Sequence, residues 1–94
     1  MNKTIWKFEL DPYKTKIPMP VGSEILTIQT QNEKPFIWAL LCPDEKIETR
    51  EFEIYGTGDL MTIQNSIGAT LSYINTFQLE DGKLVFHVFE RNPF

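Results

Sequence analysis

Apolar and polar residues alternate along most of this chain with the period of a half-buried β-strand. Residues 4–10 place Trp6, Phe8 and Leu10 on one face and Lys7 and Glu9 on the other. Residues 24–31 set Leu26 and Ile28 against Thr27, Gln29 and Gln31. Residues 36–42 are apolar on both faces, which predicts a central strand covered on two sides. Residues 47–55 alternate cleanly, with Arg50, Phe52 and Ile54 opposite Thr49, Glu51, Glu53 and Tyr55. Residues 71–79 and 84–90 read as a hairpin around Asp81-Gly82.

Turn residues separate these runs: residues 32–35, 43–46 and 80–83 are turns, and the proline-rich stretch 11–23 reads as a connection. The pattern predicts an all-β fold of about six strands, a small antiparallel sandwich or partly open barrel. Residues 57–72 are polar, glycine-containing and longer than a hairpin loop, a length typical of lids and subunit contacts.

Length and charge narrow the functional classes. A chain of 94 residues makes one domain with a thin core, which favours a homo-oligomer, most simply a two-fold dimer. A net charge of −4 argues against holding a DNA or RNA polymer through its phosphates. A single cysteine, Cys42, cannot form an internal disulfide, and one histidine, His87, cannot build a metal site. The N-terminal residues carry no signal-like apolar run, so a cytoplasmic protein with no membrane partner is expected.

The candidate chemistry centres on Tyr55-Gly56-Thr57-Gly58-Asp59. This is neither a dinucleotide fingerprint, since Met61 stands where a third glycine belongs, nor a Walker loop. Its glycines release the chain from a strand, and its successive amides offer a small anion nest. Around it, Trp38, Tyr55 and Tyr73 are suited to stacking on a flat ring, Arg50 to clamping a phosphate, and Gln29 and Gln31 to reading a base edge. His87 reads as a structural histidine satisfied by a neighbour, Cys42 as a packing residue, and Glu51 and Glu53 as a charged outer face. No nucleophile–base set can be assembled, so the expectation is binding without catalysis, with no metal or cofactor.

The motifs Thr4-Ile5-Trp6-Lys7-Phe8, Pro35 to Glu45, Arg50 to Gly58, Tyr73-Ile74-Asn75-Thr76-Phe77-Gln78 and Leu84 to Glu90 resemble a family of small bacteriophage and prophage proteins. The stretch from Asp59 to Leu71 is longer than that family's pattern. The resemblance implies a viral source and a location inside an infected bacterium, and it brings no catalytic residues. With the ring-and-arginine set it leads to a host-defence inhibitor that sequesters a nucleotide-derived immune signal, with Gln29, Trp38, Arg50, Tyr55, Gly56, Thr57, Gly58 and Tyr73 as its contacts. The alternative is an inhibitor that binds a basic host protein through an acidic surface.

Overall fold

The computed structural model describes residues 2–11, 16–61 and 69–93. Seven strands run in chain order: β1 Thr4–Glu9, β2 Lys16–Pro20, β3 Glu24–Gln31, β4 Lys34–Leu41, β5 Ile47–Gly56, β6 Ala69–Leu79 and β7 Leu84–Pro93. They form two sheets, a three-stranded one in the order β1-β4-β3 and a four-stranded one in the order β2-β5-β7-β6. Every neighbouring pair is antiparallel, and the sheets are not closed into a barrel. Their inner faces share one core built from Ile28 and Ile37 of one sheet and Ile17, Met19, Phe52, Phe77 and Val88 of the other, with Leu10 between.

The seventh strand corrects the reading of residues 11–23 as a connection. β2 carries Pro18 and Pro20, yet it pairs with β5 over its whole length. Val21 N donates to Lys46 O at 2.7 Å, and continuing that register places the odd-numbered residues in bonded positions. Both prolines therefore fall on residues whose missing N–H would face away from β5. Proline is tolerated on an edge strand for this reason. Ile17 and Met19 then send their side chains into the core.

A second correction concerns β3. The ladder with β4 slips between Ile25 and Thr27, a bulge that adds one residue to β3. Ile25 and Ile28 face the core as a result, while Leu26 is 44% exposed rather than sharing a face with Ile28. β4 is the central strand of its sheet, as its composition predicts. Its inner residues Ile37, Ala39 and Leu41 are fully buried, whereas Phe36, Trp38 and Leu40 on the outer face are half-buried.

The turns explain the topology. Gly22, at φ +83°, closes a turn in which Ser23 N donates to Pro20 O at 3.2 Å, and this turn carries the chain from one sheet to the other. Asn32 and Glu33, both at positive φ, make the two-residue turn joining β3 to β4. Glu33 Oε1 accepts a bond from Glu80 N at 2.7 Å, tying this hairpin tip to the β6–β7 tip. β7 lies between β5 and β6, so the last two are parallel to each other. Gly56 ends β5 opposite Phe86, and Ala69 begins β6 opposite Pro93, at the far end of β7. Of the stretch 57–72 expected to form a lid or subunit contact, residues 62–68 lie outside the described residues, and residues 69–72 are the first residues of β6 rather than loop.

Candidate functional site: an aromatic pocket on the outer face of the larger sheet

Strand alternation on β5, β7 and β6 brings a set of aromatic and polar side chains to one solvent-facing surface. Phe89 of β7 pairs across the ladder with Glu53 of β5 and Tyr73 of β6, and His87 pairs with Tyr55 and Thr76. The Tyr55 and Phe89 rings lie 6.0 Å apart at 75°, and the Tyr73 and Phe89 rings 5.6 Å apart at 67°. Two tyrosines thus stand steeply inclined to a central phenylalanine. Together with Gly56, Thr57, Gly58, Asp59, Met61 and His87 these rings line a pocket of about 220 Å³.

Hydrogen bonds fix the walls. His87 Nε2 meets Thr57 Oγ1 at 2.8 Å and Nδ1 meets Thr76 Oγ1 at 3.0 Å, so both ring nitrogens are engaged, as a structural histidine requires. Thr76 Oγ1 also meets Tyr73 OH at 2.6 Å, which continues the chain of hydroxyls to the second tyrosine. Tyr55 OH donates to the Glu53 carboxylate. Partial burial, and then the neighbouring Glu53 carboxylate, push the Tyr55 phenol up to about 12, so it stays a neutral donor. Glu53 in turn pairs with Arg91 at 3.0 Å, and Arg91 reaches Glu51 at 3.7 Å.

The glycine turn proves to be closed by its own sequence. Gly56 N donates to Asp59 Oδ2 at 2.7 Å, Asp59 N donates to Gly56 O at 3.0 Å, and Thr57 N donates to Val85 O at 3.1 Å. The Asp59 carboxylate therefore occupies the position that the anion-nest reading reserved for a phosphate, and it adds negative charge there. Gly58 holds φ +92° in open space, so a side chain at that position would cost backbone strain without meeting a neighbour.

Of the residues expected from sequence to contact a ligand, Tyr55, Gly56, Thr57, Gly58 and Tyr73 converge on this pocket. Arg50 does not. It shares a face with Phe52, and its guanidinium grips Glu90 through Nε–Oε2 at 2.6 Å and Nη2–Oε1 at 2.8 Å. Nη1 donates to Ser23 O at 2.5 Å. This two-pronged bond to Glu90 holds the guanidinium firmly charged, and Arg50 fastens β5, β7 and the sheet-crossing turn together. A larger groove of about 560 Å³ runs past it, but Arg50 and Arg91, which line it, are engaged with Glu90, Glu51 and Glu53.

Trp38 and Gln29 lie on the outer face of the other sheet. Lys7 Nζ covers Phe36 and Trp38, 4.7 and 5.6 Å from their ring centroids, and donates to Gln31 Oε1 at 2.8 Å. Gln29 Nε2 donates to Thr27 Oγ1 at 3.1 Å. Cys42 is buried just past the end of β4, a strand of the three-stranded sheet, whereas His87 lies on β7 of the other sheet with both ring nitrogens bonded to threonines.

The pocket residues not expected from sequence are Phe89, Asp59, Met61 and His87. Phe89 and His87 share a strand face in the alternation of residues 84–90, but only the β5–β7 pairing places that face beside Tyr55.

Fold and pocket together define a two-sheet all-β protein with an acidic, aromatic-walled pocket on one outer face. The chain belongs to the family described as a domain of unknown function, DUF7352, whose model matches residues 1–94. No curated protein and no solved structure matches it.

Proposed function

We propose that this protein is a non-catalytic binding module that engages a basic partner protein, seating a lysine or arginine side chain of that partner in the Tyr55–Phe89–Tyr73 pocket. The observation that carries the reading is the pairing of steeply inclined rings with the Asp59 carboxylate. Ring faces attract a cation through their quadrupole, and a carboxylate at the rim adds to that attraction while repelling anions. Leu60, 92% exposed beside the pocket, offers an apolar contact for the surface around the seated side chain. The net charge of −4 steers a basic partner toward the protein. In the bacteriophage setting that the sequence motifs imply, the partner is a host protein and binding inhibits it.

A second reading keeps the same rings but gives them a nucleotide-derived immune signal, sequestered by stacking of its base. The ring set favours it. Against it stand Asp59, in the place of a phosphate, and Arg50, committed to Glu90.

Titration with a lysine- and arginine-rich peptide and, separately, thermal shift against cyclic and linear nucleotides distinguish the two. The first reading expects salt-sensitive peptide binding, weakened several-fold by Asp59→Asn, a loss on the order of 1 kcal/mol. A rise in melting temperature with a nucleotide, and none with the peptide, replaces it by the second.

A further inference from the structure

The sheet edges are treated very differently by this sequence. β2 carries two prolines on its outward side, and β6 carries a bulge between Tyr73 and Asn75. β3 carries a bulge as well, and its Thr27 Oγ1 accepts a bond from Asn75 Nδ2 of β6 at 3.1 Å. Prolines, bulges and covering neighbours are the devices by which proteins blunt an edge. Among the described residues β1 has none of these. It pairs without slippage with β4 and is exposed along nearly its whole length, with Ile5 54% and Trp6 40% exposed. Its one edge lysine, Lys7, folds over Phe36 and Trp38 on its own sheet.

The hydrogen-bond phase shows what the open edge presents. Leu10 N donates to Pro35 O at 3.0 Å, and the register carries that bonded position to Phe8, Trp6 and Thr4. Ile5, Lys7 and Glu9 therefore direct their N–H and C=O groups away from β4.

We propose that β1 pairs antiparallel with β1 of a second copy of this chain, about a two-fold axis at Trp6, joining two three-stranded sheets into one of six strands. This register sets Ile5 against Lys7 and Lys7 against Ile5, so outward-facing residues meet each other. Trp6 meets Trp6 of the second copy in a non-bonded position, where cross-strand side chains approach most closely. Lys3 falls opposite Glu9 on both sides of the axis. The other registers compatible with the bonding phase are poorer. An axis at Lys7 opposes two lysines, an axis at Phe8 overlaps only residues 7–9 of each strand, and an axis at Ile5 sets Lys3 against Lys7. Charge pattern, bonding phase and exposed apolar side chains select the same pairing.

Sedimentation equilibrium of the full chain tests this, together with amide exchange. A dimer is expected, with the Ile5 and Lys7 amides gaining protection as concentration rises. Trp6→Glu should give a monomer. Lys3→Glu and Glu9→Lys should each weaken the dimer about tenfold, since each alters two symmetry-related pairs, and the double variant should restore it. Both charged positions, Lys3 and Glu9, are on the surface, so folding is not at stake in the swap. A wild-type monomer at the highest soluble concentration overturns the proposal. So does a dimer whose Ile5 and Lys7 amides exchange freely, or a double swap that fails to recover what the single changes lost.

Discussion

The two outer faces of this sandwich both display aromatic rings among charged residues, yet they use them in opposite ways. On the three-stranded sheet the cation is supplied by the chain itself, with Lys7 lying over Phe36 and Trp38 and held by Gln31. On the four-stranded sheet the cationic Arg91 is drawn to Glu51 and Glu53, and the rings of Tyr55, Phe89 and Tyr73 stand around a pocket with Asp59 at its rim. The first face is satisfied in its cation by the chain itself, although Trp38 Nε1 is buried without a hydrogen-bond partner among the described residues, and the second is an acceptor. Residue type alone does not separate them. What separates them is which strand brings a charge over the rings.

Arg50 serves neither face on this account, and its removal should have the largest effect of all. Arg50→Ala breaks a partly buried two-pronged ion pair and strands Glu90 and the Ser23 carbonyl. Stability should fall by about 2–3 kcal/mol, read from urea unfolding, with Arg50→Lys recovering part of it. Affinity for a basic peptide, measured per folded molecule, should not change. A loss of affinity without loss of stability would return Arg50 to the binding machinery.

The next effect separates the faces directly. Phe89→Leu removes the central ring of the acceptor and should weaken a lysine- or arginine-rich peptide about tenfold, in line with about 0.5–2 kcal/mol for a cation held by rings. Trp38→Leu removes a ring from the satisfied face and should leave peptide affinity unchanged. Equal losses from both variants would break the distinction between the faces. Lys7→Met sharpens it from the other side. Taking the cation off Phe36 and Trp38 should cost about 0.5–1 kcal/mol in stability, visible as a lower midpoint in urea, with no change in peptide binding.

How far these faces were legible in the sequence depends on the range of the interactions that set them. Alternation marks β1 and β5, a run apolar on both faces marks β4, and the Asp81-Gly82 turn marks the β6–β7 hairpin. Alternation misses β2, where Pro18 and Pro20 argue against a strand and only the edge position excuses them. It also misreads the face of Leu26, because a bulge inverts the phase and nothing in Glu24–Gln31 announces one. Within the site, Tyr55, Gly56, Thr57 and Gly58 are found by their local turn chemistry. Phe89 escapes because the adjacency of β5 and β7 joins residues far apart in sequence. Arg50 is the instructive error. Its parity with Phe52 already places it opposite Tyr55, so the alternation itself separates the two residues that a phosphate site needed together.

The smallest expected effect probes the acceptor face through a single proton. The Tyr55 phenol donates to Glu53, and partial burial together with that carboxylate raises its folded-state value to about 12, above the ordinary tyrosine value of 10.0. The folded protein therefore holds this proton more tightly than the unfolded chain does. Its contribution to stability is fully present below pH 10 and is lost as the pH rises through about 12. Tyr55 is partly open to solvent, so the change should be slight, a shallow downward slope in unfolding midpoint across that window. Tyr55→Phe should flatten the slope while keeping the ring, and peptide affinity at neutral pH should fall little if the aromatic face, rather than the hydroxyl, does the holding. The satisfied face supplies the control, since Trp38→Leu should leave the alkaline slope in place. An alkaline slope that survives Tyr55→Phe would assign it to another group and detach the Tyr55–Glu53 bond from the acceptor face.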